Sequence, residues 1–179
     1  MSIYHEKQSL EFCLLHSLNN LLGQQEFSKA ELDRLAAGLA PDRMWLVNPH
    51  RSWLGTGNYD VNILLSALRS RSLVANWFDS RKSPSCINLA LVTGFVLNIP
   101  SSPRVGFVTL PLIKRRHWIA VRRVAEAGWY NLDSKLAEPE LLGDDGALRD
   151  WLQATLLTGD RQLFVVIPEG EEDAWLLPS

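Results

Sequence analysis

Apolar residues in the first part of the chain recur at helical spacing. The leucines between 14 and 22 predict a helix over about 10–22, which ends at Gly23. The segment 28–31 has the form of a capping box and predicts the start of a second amphipathic helix. Asp60 is placed to cap a third helix over 61–71. Helices are therefore expected before any strand.

The pattern changes after residue 72, where short runs of β-branched, aromatic and aliphatic residues follow one another between turn signals. The predicted strands are 73–78, 95–99, 117–124, 129–132 and 163–167. A turn is expected at 125–128, and further helices near 87–93 and over about 146–157. Because the helices come first and the antiparallel strands later, the sequence predicts an α+β fold.

His117 and Asp133 lie at the two ends of the hairpin that this pattern predicts. His117 begins the first strand and Asp133 follows the second, so both are expected at its open end, close enough for a contact. Asp133 could instead be a turn residue that caps a backbone amide. Asn131 shares a strand face with Asp133 and is expected to be a donor behind it, or only a sheet residue.

Cys13 lies in the first turn of the first predicted helix. The positive end of a helix favours a thiolate, although a lone cysteine is more often a small buried hydrophobe. The chain order cysteine, distant histidine, aspartate is that of papain-like cysteine hydrolases, in which His117 takes the thiol proton and Asp133 orients the ring. Gln8, five residues before Cys13, is a candidate donor to the oxyanion.

Cys13 and His16 also have the Cys-x-x-His spacing of half a zinc site. No second cysteine or histidine pair with ligand spacing follows in the sequence. A structural role is therefore favoured for His16, and neither a metal nor another cofactor is expected.

The composition suits one globular domain with its own core: 179 residues, of which 46% are hydrophobic and 21% charged. A net charge of −2 gives no reason to expect a nucleic-acid binder. The polar start of the chain does not read as a signal peptide, so Cys13 and Cys86 are expected to stay reduced in the cytoplasm or nucleus. No apolar stretch has the length of a membrane helix, and a monomer is expected.

Polar and aromatic residues cluster in a few short motifs, which are Tyr4-His5-Glu6-Lys7-Gln8, Cys13, His16-Ser17-Leu18-Asn19-Asn20-Leu21, Gly57-Asn58-Tyr59-Asp60-Val61-Asn62, His117-Trp118 and Tyr130-Asn131-Leu132-Asp133-Ser134-Lys135. Together they resemble the Josephin domain, a family of deubiquitinating cysteine proteases. The resemblance runs from about residue 3 to residue 167. It implies a papain-like α+β fold with helices packed on an antiparallel sheet, over 1–168, followed by a short acidic tail at 169–179.

The resemblance also implies an activity, which is cleavage at the carboxyl end of ubiquitin without a cofactor. Cys13 would be the nucleophile, His117 the general base and acid, Asp133 the orienting residue and Gln8 the oxyanion donor. A longer member of the family has Asn where Asp133 stands. An aspartate can orient the imidazole equally well, so the difference does not threaten the chemistry.

Ubiquitin and ubiquitinated proteins are the partners that the resemblance implies. Val61 and Asn62, at the start of the third helix, are expected to contact ubiquitin, and Phe27 is a candidate for a second surface. Gly57 is a candidate for lining a narrow channel around the ubiquitin tail, or only a turn residue. Two alternatives stay open: a ubiquitin-binding adaptor with negligible activity, and a cysteine hydrolase that acts on a different substrate.

Overall fold

The computed structural model describes residues 3–8, 12–39, 59–101, 104–105, 108–109 and 115–178. The helices within these ranges are α1 (Cys13–Leu22), α2 (Lys29–Leu39), α3 (Val61–Arg69) and α4 (Asp145–Leu157). The strands are β1 (Leu73–Phe78), β2 (Gly94–Ser101), β3 (Arg104–Val105), β4 (Val108–Thr109), β5 (Arg115–Arg123), β6 (Trp129–Asn131), β7 (Glu140–Gly143) and β8 (Gln162–Pro168). The predicted α+β class is confirmed.

Six of the strands form one antiparallel sheet in the order β1-β8-β2-β5-β6-β7, and β3 pairs with β4 in a separate ribbon. The five predicted strands are confirmed with bounds that differ by at most two residues. The strands β3, β4 and β7 are too short and too polar to give an apolar run of their own, and the sequence did not predict them.

The sheet separates two apolar cores, because successive residues of a strand point to opposite faces. On one face Val96 and Ala120 pack beneath the three N-terminal helices. On the other face Phe95 and Val121 pack together with α4. The central strands are covered on both faces, which explains their buried apolar runs at 95–97, 118–121 and 163–167.

Polar side chains fix the starts of three helices. The Ser28 N–H donates to Glu31 Oε2 at 2.9 Å and the Glu31 N–H to Ser28 Oγ at 3.3 Å, which confirms the capping box before α2. Asp60 accepts two N–H groups of the first turn of α3, as predicted, and Asp144 caps α4. None of the described helices has the length and apolar character needed to cross a membrane.

The helix predicted near 87–93 is wrong. Pro84–Cys86 form a short 3-10 turn, and Ile87 makes an isolated antiparallel bridge with Leu176, far along the chain. The apolar residues of this segment are buried against the C-terminal segment rather than along one face of a helix. A local apolar pattern cannot predict pairing with a residue as distant in the chain as Leu176.

The C-terminal segment returns to the domain after its acidic run. Trp175 is 9% exposed and packs edge-on against Phe78, with 6.5 Å between the ring centroids. The Asn88 N–H donates to Trp175 O at 2.8 Å, and the Leu177 N–H donates to Cys86 O at 2.7 Å. The acidic residues of the predicted tail are therefore at the surface, whereas the apolar residues that follow them pack on the domain.

Candidate active site

Cys13 is the first residue of α1 and is 5% exposed. The helix lies close to the sheet because β2 has a glycine where they meet. A Cβ on Gly94 would lie 2.4 Å from Leu21 Cδ1 and 2.7 Å from Val121 O, so a larger residue would push α1 outward. This packing holds Cys13 beside the start of β5, where the backbone N–H of Trp118 faces the sulfur.

Two opposing effects act on the Cys13 thiol. Burial is the larger effect and raises its pKa above the ordinary value for cysteine. The backbone N–H groups of Trp118, Leu14 and Cys13 itself, together with the charge of Lys135, act to lower the pKa. Because the pKa stays raised overall, the thiol is protonated at neutral pH and needs a base to become a nucleophile.

His117 and Asp133 are in contact, as the hairpin predicted. His117 is 2% exposed, and its Nε2 lies 2.6 Å from Asp133 Oδ1. An ionised carboxylate can only accept, so Nε2 carries the proton and Nδ1 is the basic nitrogen. The next residue, Trp118, directs its N–H at the Cys13 sulfur, which places His117 beside the thiol.

The surroundings of Asp133 keep it ionised. Burial alone would raise its pKa, but the hydrogen bond and charge of His117 and the N–H of Lys135, at 2.9 Å from Oδ1, lower it overall. Asn131 Oδ1 accepts the Asp133 N–H at 3.1 Å, and Asn131 Nδ2 donates to Glu140 Oε2 at 2.8 Å. Asn131 is therefore an acceptor behind Asp133 rather than the donor expected.

Gln8 lies next to the residues that follow the β5–β6 hairpin. Its N–H donates to Ser134 O at 2.7 Å, so the N-terminal segment runs alongside the residues that follow Asp133. His5 Nε2 lies 3.0 Å from Asp133 O and fixes the same segment a second time. This position suits a donor to an oxyanion on Cys13, and that role stays a prediction.

Glu6 is the centre of a polar network to which the sequence analysis assigned no role in the site. Its carboxylate lies 2.6 Å from His16 Nδ1 and accepts Asn19 Nδ2 at 2.9 Å. Asn20 accepts the Glu6 N–H at 2.5 Å and donates to Leu132 O at 3.0 Å. The network therefore joins the N-terminal segment, α1 and the end of β6. Polar residues at i, i+3 and i+4 within an otherwise apolar helix were the available signal.

The four residues predicted to bind substrate differ in how exposed they are to solvent. Val61 is half-buried and Asn62 is exposed at the start of α3, so both are accessible there. Tyr59, just before α3, accepts Trp118 Nε1–H on its backbone oxygen at 3.1 Å, which connects this surface to the active site. Gly57 lies outside the described residues.

Phe27 is not accessible as the prediction for a second surface requires. Its side chain is 2% exposed, and the Arg71 guanidinium lies over the ring at 4.4 Å from the centroid. Arg71 is held there by Glu26 and Glu31. The ring therefore belongs to the core, and Arg71 forms the surface above it. No group of three or more potential metal ligands occurs in the described parts of the chain.

Comparison with known proteins decides the family. The family model for Josephin matches residues 8–167. The chain belongs to the Josephin family. It is 47% identical to Josephin-2 of Mus musculus over 180 residues, which are 99% of this chain and 94% of that protein. It is also 47% identical to a Josephin-like protein of Drosophila melanogaster, over 99% of this chain and 81% of that protein.

Ataxin-3 of Homo sapiens is a more distant relative. It is 28% identical over 159 residues, which are 80% of this chain and 40% of ataxin-3. In the present Josephin domain, a buried thiol at a helix start lies beside a histidine whose basic nitrogen is fixed by a carboxylate. These groups suit nucleophilic attack on a carbonyl carbon.

Proposed function

We propose that this Josephin-family protein is a cysteine-type deubiquitinase, which hydrolyses the bond at the C-terminal carboxyl group of ubiquitin. The observation that carries the proposal is the 2.6 Å contact between His117 Nε2 and Asp133 Oδ1 beside Cys13. This contact leaves Nδ1 as the base. Membership of the Josephin family supports ubiquitin as the substrate.

The reaction begins with proton transfer from Cys13 Sγ to His117 Nδ1 as the sulfur attacks the terminal carbonyl carbon of ubiquitin. The oxygen of the tetrahedral intermediate receives hydrogen bonds from the Gln8 side chain and from N–H groups at the start of α1. The C–N bond then breaks, and His117 returns its proton to the leaving amine. Water, activated by the same nitrogen, hydrolyses the thioester and regenerates the thiol.

Ubiquitin is placed by its body as well as by its tail. Val61 and Asn62 offer a mixed apolar and polar surface at the start of α3, and the Trp118–Tyr59 hydrogen bond keeps that surface at a fixed distance from Cys13. We therefore assign them to ubiquitin binding. The Gly-Gly end of the tail then reaches the buried sulfur without a bulky side chain in the way.

The test is covalent labelling with ubiquitin that carries a thiol-reactive group at its C-terminus. We expect an adduct with the wild type and with Cys86→Ala, and none with Cys13→Ala. Cys86 is a suitable control because it is half-buried, free and without a histidine among its described hydrogen-bond partners. Labelling of Cys13→Ala would show that another residue reacts.

A second measurement separates an enzyme from an adaptor. Wild-type protein that binds ubiquitin in a titration, but neither forms the adduct nor cleaves a ubiquitin ester at high enzyme concentration, would be an adaptor. Reaction of Cys13 with small alkylating agents but not with the ubiquitin probe would point to a different substrate.

A further inference from the structure

An open pocket lies beside the His117–Asp133 pair. It has a volume of about 480 Å³ and is lined by Lys7, Gln8, Ser134, Lys135, Leu136 and Ala137. Two segments form it, the N-terminal segment 3–8 and the connection from β6 to β7. They are held together by the hydrogen bond from the Gln8 N–H to Ser134 O, at 2.7 Å. The pocket is therefore attached to the same residues that position the candidate oxyanion donor.

Among the residues that the structure describes, the lining carries two positive charges and no negative one. Lys7 and Lys135 are both exposed, and neither forms an ion pair with any described residue. Lys135 Nζ donates to Ser101 Oγ at 2.7 Å, a neutral partner, and its charge also acts on the nearby Asp133 carboxylate, whose pKa it helps to lower. The carboxylates nearest to the two lysines along the chain have other partners: Asp133 accepts hydrogen bonds from His117 and from the Lys135 N–H, and Glu6 contacts His16 and Asn19.

The pocket and the start of α3 reach the candidate active site through different residues. Tyr59, just before α3, accepts Trp118 Nε1–H on its backbone oxygen, whereas the pocket is formed by Lys7, Gln8 and the residues that follow Asp133. A substrate whose scissile bond is at Cys13 extends in two directions from that bond. With the ubiquitin body assigned to the start of α3, the pocket is a second surface next to the site that is available to the leaving group.

We propose that this pocket is the subsite for the acceptor protein and that it binds acidic side chains close to the ubiquitinated lysine. The inference rests on the proposed function and adds a substrate preference to it. The leaving amine takes its proton from His117 Nδ1, and the pocket adjoins this histidine through Ser134 and Lys135, which follow its partner Asp133, so the acceptor chain beyond the amine lies within reach of the pocket. Carboxylates of that chain then meet Lys7 on one side and Lys135 on the other.

Lys7 is the better residue for a test, because Lys135 also acts on the thiol. The charge of Lys135 helps to lower the pKa of Cys13, whereas Lys7 is not among the groups that shift it. Lys7→Glu therefore changes the pocket charge without changing those groups. Lys82→Glu is the matched control, since Lys82 is also an exposed lysine and lies after β1, at the far edge of the sheet.

The experiment compares three substrates: ubiquitin with a small fluorogenic leaving group, and ubiquitin joined through an isopeptide bond to a lysine peptide with either glutamate or arginine neighbours. For the wild type and Lys82→Glu at low salt, we expect kcat/KM to be about three- to tenfold higher for the acidic peptide than for the basic one. The ratio should fall towards one as salt is added. Lys7→Glu should lower or invert the ratio without changing hydrolysis of the fluorogenic substrate.

Equal kcat/KM for the two peptides with the wild type would overturn the inference, as would a ratio that Lys7→Glu leaves unchanged. Both results leave the proposed function intact, because the fluorogenic substrate is still hydrolysed. Absence of hydrolysis with all three substrates would remove the proposed function and this inference together. Thermal melting of each variant shows whether it is folded.

Discussion

Helices α1 and α4 cover opposite faces of the same sheet and bury different kinds of side chain. Besides Cys13 and three leucines, α1 buries four polar residues, which are His16, Ser17, Asn19 and Asn20. Helix α4 buries three leucines and a single polar residue, Thr155. The difference matters because a buried polar group destabilises the fold unless it finds a hydrogen-bond partner.

Three of the four polar residues of α1 find partners in the segments that build the candidate active site. Asn19 and His16 bind Glu6, and Asn20 binds the backbone on either side, at Glu6 and Leu132. The packing of α1 is therefore coupled to the geometry of the site. The α4 core has no such coupling, because the leucines that α4 buries pack in the other apolar core and form no hydrogen bonds with these segments. We expect changes beneath α1 to alter activity and changes beneath α4 to alter stability.

The largest expected effect is on the side of α1, at Asp133. Replacing Asp133 by Ala should lower kcat by about 10²- to 10⁴-fold, because the His117 ring loses the acceptor that fixes its tautomer. Asp133→Asn should stay within about tenfold of the wild type. The Lys135 N–H lies 2.9 Å from the same oxygen that faces His117, so an amide would place its oxygen there and still accept from Nε2.

The measurement is kcat with ubiquitin carrying a fluorogenic leaving group, with melting curves for both variants. If Asp133→Asn were as inactive as Asp133→Ala, the amide would be presenting its NH₂ group to His117. The tautomer assigned to the histidine would then be wrong in the variant.

The structure around the candidate site could be predicted from the sequence where it depends on residues close together in the chain. The hairpin that brings His117 to Asp133 follows from strand patterns and a turn, and the cap at Asp60 follows from its side chain. The predictions failed where the position of a residue depends on contacts with segments that are distant in the chain. Phe27 lies beneath Arg71, 44 residues further along the chain, and nothing local indicates that cover.

Charges brought together by folding were also out of reach. Lys7 and Lys135 meet at one pocket only because the N-terminal segment pairs with the residues after Asp133. Glu6 appeared in a family motif, but its partners on α1 could not be inferred from spacing. These are tertiary contacts, which local patterns do not encode.

The second prediction tests the α4 side. Leu152 is fully buried, so Leu152→Ala should lower the free energy of unfolding by about 2–5 kcal/mol through lost contacts and a residual cavity. The kcat of the folded protein should stay within about twofold of the wild type, since α4 does not touch the site. Leu157→Ala is the matched control: the same substitution in the same helix, at a residue that is 75% exposed.

Both effects of Leu152→Ala are checked by denaturant unfolding and by kcat, measured on the same protein preparations. The control should lose less than about 0.5 kcal/mol. A large fall in the kcat of Leu152→Ala under conditions in which the variant is still folded would mean that packing beneath α4 also affects the candidate site. The comparison of α1 with α4 would then fail.

The third prediction concerns the polar network beneath α1. Glu6→Gln should lower the free energy of unfolding by about 1–3 kcal/mol, because a neutral amide cannot satisfy the same set of donors. As a positioning residue that does not touch substrate, Glu6 should affect kcat and leave KM nearly unchanged. Glu126→Gln is the control, since Glu126 is exposed on the turn after β5, away from the site.

Separate kcat and KM values with the fluorogenic ubiquitin substrate decide the matter. A stability loss with no change in kcat would show that the network supports the fold but not the site. A change in KM alone would place Glu6 at the substrate surface and would contradict its role as a positioning residue.

The smallest expected effect is a difference in how the stability contributions of the two faces of the sheet depend on pH. The pKa of Asp133 is lowered in the folded protein, so its ionised form stabilises the fold at pH values above the ordinary aspartate pKa. As the pH falls through the folded pKa, the carboxylate becomes protonated in both states and this contribution disappears. The stability advantage of the wild type over Asp133→Asn should therefore stay constant near neutral pH and shrink as the pH falls below the ordinary aspartate pKa of about 3.9 and through the lower folded pKa. The cost of Leu152→Ala should stay constant over the same range, because leucine does not titrate. Denaturant unfolding of the three proteins at each pH measures both differences, and a pH-independent cost for Asp133→Asn would contradict the lowered pKa.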